Sequence, residues 1–171
     1  MSLPSILRPR PLREGDDVSR FRNGAHESLD LWRRGRAVGS AGNAARTYVI
    51  CPHAAPRRVI GYVSIAIGLE QRIALPEVPQ RRRRPDHVPL LLIARLAIDR
   101  DFHGLGLGGD LLRDALRRCA AAAESVGARA VVAHAIDEAA VGFYARHGFA
   151  PSMLGAGRMV MPMSVVRALV G

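Results

Sequence analysis

The sequence predicts an α/β fold, with a mixed sheet in an α+β arrangement, and three observations support this class. Residues 47–50 and 59–67 are rich in β-branched and aromatic side chains and are separated by a short turn, as in an antiparallel hairpin. A nearly continuous apolar run at 90–98 precedes a glycine-rich turn and a helical repeat of apolar residues. A further strand and helix follow it. Helices are therefore expected to flank a central mixed sheet.

The first half of the chain predicts few other elements. Residues 26–37 predict a short helix. Residues 69–88 predict a loop, because Pro76, Pro79 and Pro85 oppose both helix and strand around four consecutive arginines.

The second half predicts an alternation of strands and helices. The run 90–98 has the composition of a central strand that is buried on both faces. Apolar residues then recur at helical spacing until Gly127. A second helix is expected to begin with Asp137 as its cap and to end at Gly148. The predicted elements after the central strand are a helix over 108–126, a strand over 130–133, a helix over 137–147 and an edge strand over 158–163.

Charge is the strongest feature of the composition. All 25 basic residues are arginines, and with 15 acidic residues they give a formal charge of +10. The planar guanidinium group suits phosphate, so a nucleic-acid partner is one explanation. Genomic nucleotide composition is the other, and charge alone leaves both open.

Length, cysteines and hydropathy limit the class of protein. A chain of 171 residues fits a single domain over 1–171, which buries about 70% of its unfolded surface. Cys51 and Cys119 lie in unrelated contexts, so reduced thiols are expected rather than a disulfide or a metal site. There is no apolar run of roughly 18 residues and no secretory leader, so we expect a cytoplasmic protein with no membrane partner.

The loop after the apolar run predicts an anion site. Glycines between a buried strand and a helix aim free backbone amides at phosphate oxygens; a tight turn without a ligand is the alternative. Gly104, Gly106 and Gly109 match the spacing of dinucleotide-binding folds, but such a loop follows the first strand of its fold, whereas this one follows a hairpin. A P-loop is excluded because no Gly-Lys-Ser/Thr follows.

These motifs resemble those of the GNAT acetyltransferase superfamily. Its pyrophosphate loop reads Gln/Arg-x-x-Gly-x-Gly/Ala, and His103 occupies the first place here. Residues 137–149 are similar to its Asn-x-x-Ala-x-x-x-Tyr-x-x-x-Gly-Phe ending, with Asp137 for Asn. The resemblance implies the GNAT acyltransferase fold and acetyl-CoA as co-substrate, without a metal. The coenzyme-binding residues that it implies are Leu96, Ala97, Ile98, His103, Gly104, Leu105, Gly106, Leu107, Gly108, Gly109 and Asp137.

The same resemblance implies a catalytic residue. Tyr144 matches the family tyrosine and is the candidate general acid that protonates the departing thiolate; its alternative role is a packed helix aromatic. No general base is evident. His134 and His147 flank the site in sequence, and structural roles are the alternative for both. The substrate amine is expected to need only a water path.

A narrower resemblance covers nearly the whole chain. Residues 21–24, 29–32, 46–49, 95–99 and 134–137 are similar to the TacT-like toxins of type II toxin–antitoxin systems. It implies acetylation of the α-amino group of aminoacyl-tRNA, a ribbon-helix-helix antitoxin, operator DNA bound through that antitoxin, and a homodimer. The arginines expected to contact RNA phosphates are Arg33, Arg34, Arg36, Arg81, Arg82, Arg83, Arg84 and Arg95.

Two other functions remain open at this stage. One is a GNAT enzyme for a small amine or a protein N-terminus, for which the positive charge is a poor fit because such substrates are often cationic. The other is a non-catalytic nucleic-acid-binding module on the same fold.

Overall fold

The computed structural model describes residues 3–30, 45–71 and 87–171. These residues form a seven-stranded sheet and three α-helices. The strands are β1 (Arg10–Pro11), β2 (Arg46–Ile50), β3 (Gly61–Gln71), β4 (His87–Ile98), β5 (Ala130–His134), β6 (Ala150–Pro151) and β7 (Arg158–Pro162), and the helices are α1 (Leu107–Val126), α2 (Glu138–Arg146) and α3 (Met163–Val170).

The sheet is mixed, as the sequence predicts. Its strand order is β1-β2-β3-β4-β5-β7-β6. Strands β4 and β5 run parallel, whereas β2 with β3 and β5 with β7 are antiparallel. The parallel pair is the one joined through α1, because parallel neighbours need a crossover connection.

The chain divides into two compact units, Met1–Ile65 with Arg95–Asp114 and Ala66–Ala94 with Ala115–Gly171. Each has its own apolar cluster. The buried members are Phe21, Val49, Cys51, Val59, Tyr62 and Ala97 in the first unit and Val88, Leu90, Ala130, Val132 and Val160 in the second. The single domain expected from the length stays a prediction.

In the first unit the predicted hairpin is confirmed. Strands β2 and β3 pair from Arg46↔Ile65 to Ile50↔Gly61. A β-carbon on Gly61 would lie 2.7 Å from the side chain of Ile98, so the close approach of side chains here requires glycine. The predicted helix over 26–37 is wrong where it is described: Glu27–Leu29 form a 3₁₀ turn, and 31–37 lie outside the described residues.

The second unit shows where apolar pattern misplaces strand ends. The predicted loop over 69–88 is wrong at both ends, because β3 extends to Gln71 and β4 begins at His87. Strand β4 is not buried on both faces throughout, since Ala94 and Arg95 are exposed. Pairing with neighbouring strands extends a ladder beyond the residues whose composition favours it.

The C-terminal elements differ more from expectation. Strand β7 is not an edge, because β6 pairs with it through Ala150↔Val160. Helix α3 was not predicted; it buries Met163 and Val166, and its eight residues are too few to show clear periodicity. The sequence also failed to predict the two-residue strands β1 and β6 and a 3₁₀ turn at Arg100–Phe102.

Helices α1 and α2 are confirmed. Helix α1 begins at Leu107, one residue earlier than predicted. The carboxylate of Asp137 accepts from the amide of Ala140 at 2.7 Å, which caps α2, and Gly148 ends it with a φ of +96°. Among the described residues, none of the helices combines the length and apolar character that crossing a bilayer requires.

Candidate active site

The glycine loop takes a left-handed backbone conformation just before the start of α1. Gly104 and Gly106 adopt φ values of +77° and +78°, and a β-carbon on either would meet no atom within 4 Å. Their left-handed backbone, and not crowding, is therefore what requires glycine. The amide of Asp110 donates to the Gly106 oxygen at 3.2 Å and begins the helical ladder, so the amides of 107–109 have no partner within α1. The start of α1 therefore presents free amides.

A buried polar network fixes the end of β4 just before this loop. Asp99 is only 1% exposed, and its carboxylate accepts from the amides of Arg22 at 3.0 Å and Asp101 at 2.9 Å. The Asn23 side-chain amide donates to the Ile98 oxygen at 3.1 Å. These contacts tie residues 22–23 to the strand end from which the loop departs. Charge-assisted bonds of this kind hold backbone position strongly.

His103 is part of the same arrangement. Its Nε2 lies 2.7 Å from the Ile98 oxygen. A carbonyl only accepts, so Nε2 carries the hydrogen and the imidazole is fixed across the loop. The sequence identified His103 by its place in the motif. It did not identify Asn23 or Asp99 as site residues; the available signal was a carboxylate directly after an apolar strand.

The predicted coenzyme residues fall into two groups. Leu96, Ala97 and Ile98 lie on β4 beyond the last β4–β5 pair, Ile93↔Ala133. His103, Gly104, Leu105 and Gly106 form the loop, and Leu107, Gly108 and Gly109 form the first turn of α1. All of these belong to the first unit. Asp137 belongs to the second, where its carboxylate caps α2.

Tyr144 is a buried residue near the end of α2. Only 5% of the residue is exposed. Its ring makes edge-on contacts with the rings of Phe143 and Phe149, at centroid distances of 5.2 and 5.3 Å. Burial raises the pKa of Tyr144 well above its ordinary value of 10.0. Burial therefore disfavours loss of the phenolic proton.

The two flanking histidines differ in their surroundings. His147 places Nδ1 at 2.7 Å from the Phe143 oxygen, and its ring lies 4.6 Å from the Phe143 ring. This nitrogen is occupied by the helix backbone, which favours a structural role. His134 is exposed at the end of β5, opposite Arg158.

Only one of the arginines predicted to contact RNA can be placed. Arg33, Arg34, Arg36 and Arg81 to Arg84 lie outside the described residues. Arg95 is exposed, and its Nη1 donates to the Ser28 oxygen at 3.2 Å. Burial raises the pKa of the neighbouring Tyr62 to about 12, although the charge of Arg95 opposes this.

In the described ranges, no group of three or more His, Cys, Asp or Glu side chains is placed to hold a metal ion. Cys51 and Cys119 are buried free cysteines, and their reduced state stays a prediction.

Comparison with protein families and curated proteins agrees with this geometry. Residues 44–151 match the family described as an acetyltransferase (GNAT) domain. The chain is 39% identical over 166 residues to a tRNA-acetylating toxin of Mycobacterium tuberculosis (strain ATCC 25618 / H37Rv), covering 95% of this chain and 96% of that protein. It is 33% identical over 124 residues to a probable TacT toxin of Sinorhizobium fredii (strain NBRC 101917 / NGR234), covering 66% of this chain and 67% of that protein.

Solved structures share the fold over nearly the full length. AtaT in complex with acetyl-methionyl-tRNAfMet is 26% identical with a TM-score of 0.81, covering 98% of this chain and 100% of that one. AtaTR bound with acetyl-CoA is 26% identical with a TM-score of 0.82, covering 98% and 99%. A tyrosine-to-phenylalanine variant of AtaT bound to the C-terminus of the antitoxin AtaR is 25% identical with a TM-score of 0.77, covering 96% and 98%. The chain therefore belongs to the GNAT acetyltransferase family and, within it, to the TacT-like toxins.

Proposed function

We propose that the protein is an acetyl-CoA-dependent N-acetyltransferase toxin that acetylates the α-amino group of aminoacyl-tRNA and so blocks translation. One observation supports the choice of tRNA as substrate: the chain is 39% identical, along 95% of its length, to a protein named for acetylating tRNA. The free amides at the start of α1 support the coenzyme, because they suit a pyrophosphate.

The residues before and after the loop would hold different parts of acetyl-CoA. The amides of 107–109 face the pyrophosphate in this proposal, and Gly104 and Gly106 allow its close approach. The main chain of Leu96 to Ile98, beyond the last β4–β5 pair, offers hydrogen bonds to the pantetheine arm. The coenzyme supplies an acetyl thioester. Asp137 is proposed to contribute through the start of α2, which its carboxylate caps.

The transfer is a direct attack by the substrate amine. Nitrogen bonds to the acetyl carbon as the carbon–sulfur bond breaks, and the sulfur leaves as a thiolate. Tyr144 donates its phenolic proton to that thiolate. This role rests on the match of Tyr144 to the family tyrosine, since a phenol holds its proton at neutral pH whether or not it is buried. The attacking amine loses its proton to water.

Partners and location are proposed on the same basis. We propose that an antitoxin of the ribbon-helix-helix type neutralises the protein and joins it to operator DNA. We also propose that the toxin is a cytoplasmic homodimer. The AtaT variant bound to the C-terminus of AtaR supports a protein antitoxin. The ribbon-helix-helix type, the DNA and the dimer rest on the sequence resemblance.

The test is transfer of radiolabelled acetyl from acetyl-CoA to charged tRNA. We expect label on charged tRNA only, and a rate at least about 100-fold lower for Tyr144→Phe, because loss of a general acid costs this much or more. Tyr48→Phe, a half-buried tyrosine on β2, is the matched control and should keep the rate. Equal labelling of uncharged tRNA, or no labelling despite acetyl-CoA binding, would refute the proposed substrate.

A further inference from the structure

A concave site lies in the first unit, and none of the residues that line it belongs to the glycine loop. It is a pocket of about 780 Å³ between the N-terminal segment and the turn that joins β2 and β3. Four arginines line it: Arg8, Arg10, Arg13 and Arg57. We call it the N-terminal arginine pocket. Its volume lies in the range of small-molecule sites, about 300–1,000 Å³.

One of the four arginines is part of the framework. Arg10 forms two hydrogen bonds to Asp16, at 2.7 and 2.8 Å, and the Asp16 side chain is only 4% exposed. Arg10 also donates to the Pro56 oxygen at 3.2 Å, and Asp16 accepts from the Arg13 amide at 2.8 Å. This pair is neutral as a unit and joins the N-terminal segment to the β2–β3 turn. It shapes the pocket and leaves the other cations available.

The remaining charge of the pocket is positive. Arg8, Arg13 and Arg57 are exposed, and the charge of Arg13 also attracts the Asp16 carboxylate. Glu14 is the one lining carboxylate outside the Arg10–Asp16 pair, and His53 adds a titratable ring. Three guanidinium groups against one carboxylate favour a ligand with more than one negative charge.

The apolar part of the lining narrows the ligand class. Ile6, Leu7 and Pro56 contribute carbon surface next to the arginines. A nucleotide offers both partners, because its phosphate suits the guanidinium fork and its base and sugar suit an apolar wall. Exposed arginines each contribute little to a small ion, since water and salt screen them. A polyanion that releases counterions from several contacts at once gains much more.

We propose that the N-terminal arginine pocket binds a nucleotide of the tRNA substrate, with Arg8, Arg13 and Arg57 on its phosphates. This rests on the proposed function. It adds an RNA-binding site to the arginines predicted from the sequence, most of which lie outside the described residues. The pocket serves affinity for the RNA and takes no part in acetyl transfer.

The test compares the triple variant Arg8→Ala/Arg13→Ala/Arg57→Ala with the wild type. Its control is Arg46→Ala/Arg117→Ala/Arg167→Ala, which removes the same charge from three exposed arginines that do not line the pocket. Binding of fluorescently labelled uncharged tRNA is measured between 50 and 200 mM salt, and acetylation is measured with aminoacyl-tRNA and with aminoacyl-adenosine. The last compound carries the reacting amine without any phosphate.

We expect the pocket variant to bind tRNA about tenfold more weakly. The slope of log K against log salt concentration should become shallower by about two units, because each lost phosphate contact removes about 0.7–0.9. Its KM for aminoacyl-tRNA should rise about tenfold, while kcat and the rate with aminoacyl-adenosine stay within twofold. In the control variant, the loss of tRNA affinity should be less than a third of the loss measured for the pocket variant.

Three results would overturn the proposal. The first is unchanged tRNA binding by the folded pocket variant, and the second is an equal loss of tRNA affinity in the pocket and control variants. The third is displacement of tRNA from the wild type by free ATP or by poly-glutamate at equal charge concentration. ATP would indicate a free nucleotide as the ligand, and poly-glutamate an acidic protein. Wild-type protein that acetylates neither substrate refutes the proposed function instead, and the tRNA-binding comparison still tests the pocket.

Discussion

The imidazole of His103 reaches back to the end of β4, where its Nε2 lies 2.7 Å from the main-chain oxygen of Ile98. The family motif has Gln or Arg at this place. A histidine therefore supplies a hydrogen-bond donor there and ties the beginning of the glycine loop to the strand that precedes it. The same oxygen accepts from Asn23, so two side chains hold one carbonyl.

Replacing His103 with Ala should weaken acetyl-CoA binding about threefold to tenfold. One net hydrogen bond contributes about 0.5–1.5 kcal/mol, and its loss frees the loop. Isothermal titration of acetyl-CoA measures the effect, and His103→Gln, which can still donate, should recover most of the affinity. An alanine variant with wild-type affinity would show that the contact does not order the loop for the coenzyme.

Alanine at Gly106 should reduce both stability and coenzyme binding. Gly127 is a matched control, because it also has a positive φ, +67°, and open space at the β-carbon position. Each substitution should cost about 1 kcal/mol of backbone strain, or about 2–4 °C in Tm. Only Gly106→Ala should also lower acetyl-CoA affinity, by about tenfold or more. Equal affinities in the two variants would argue against a pyrophosphate at this loop.

Breaking the half-buried Arg10–Asp16 pair should cost more stability than breaking an exposed one. Asp16→Ala leaves the guanidinium of Arg10 without its carboxylate and removes the acceptor of the Arg13 amide, at a cost of about 1–3 kcal/mol. Asp110→Ala breaks the Arg113–Asp110 pair, in which both side chains are more than half exposed, and should change stability by less than about 0.5 kcal/mol. Urea unfolding of both variants measures the difference, and similar values for the two would contradict it.

The stability of the protein should fall at alkaline pH through Cys119. Burial raises the pKa of this thiol from 9.0 to about 12. Below pH 9 the folded and unfolded chains both hold the proton, whereas between pH 9 and 12 only the unfolded chain releases it. Rising pH therefore favours unfolding, by about 1.4 kcal/mol per unit from this one group.

The check is urea unfolding at pH 7.5, 9.5 and 10.5, with a reductant present, for the wild type and Cys119→Ala. The alanine variant is expected to show a flatter decline above pH 9, but not a flat profile, since burial also raises the pKa values of Cys51 and Tyr62 in both proteins. Parallel profiles would mean that the buried thiol does not couple to folding in this range.

The elements that local pattern defines were predictable. The 20 residues of α1 have apolar side chains at helical spacing, and β4 contains a nearly continuous apolar run. Asp137 and Gly148 carry the signals that begin and end α2. In each case the residue itself favours the observed backbone, so tertiary contacts did not have to be known.

The elements that depend on tertiary contacts were not predictable. Strand β1 exists because Arg10 and Pro11 pair with Val49 and Tyr48. Two residues are too few for a sequence pattern to predict this pairing. In the candidate site, the motif located His103, whereas its contact with Ile98 and the role of Asn23 depend on how the chain returns to the end of β4. The N-terminal arginine pocket joins residues more than 40 positions apart, and sequence spacing does not show that.

Both outer strands of the sheet are two residues long, and both end in a proline: β1 in Pro11 and β6 in Pro151. Proline has no amide hydrogen to donate, and two residues are too few to serve as a template for another strand. In the part of the sheet that the structure describes, each outer strand is therefore a poor template for a strand of a second molecule. In a chain that is nearly half hydrophobic, such short edges oppose the strand-to-strand pairing that leads to ordered aggregation.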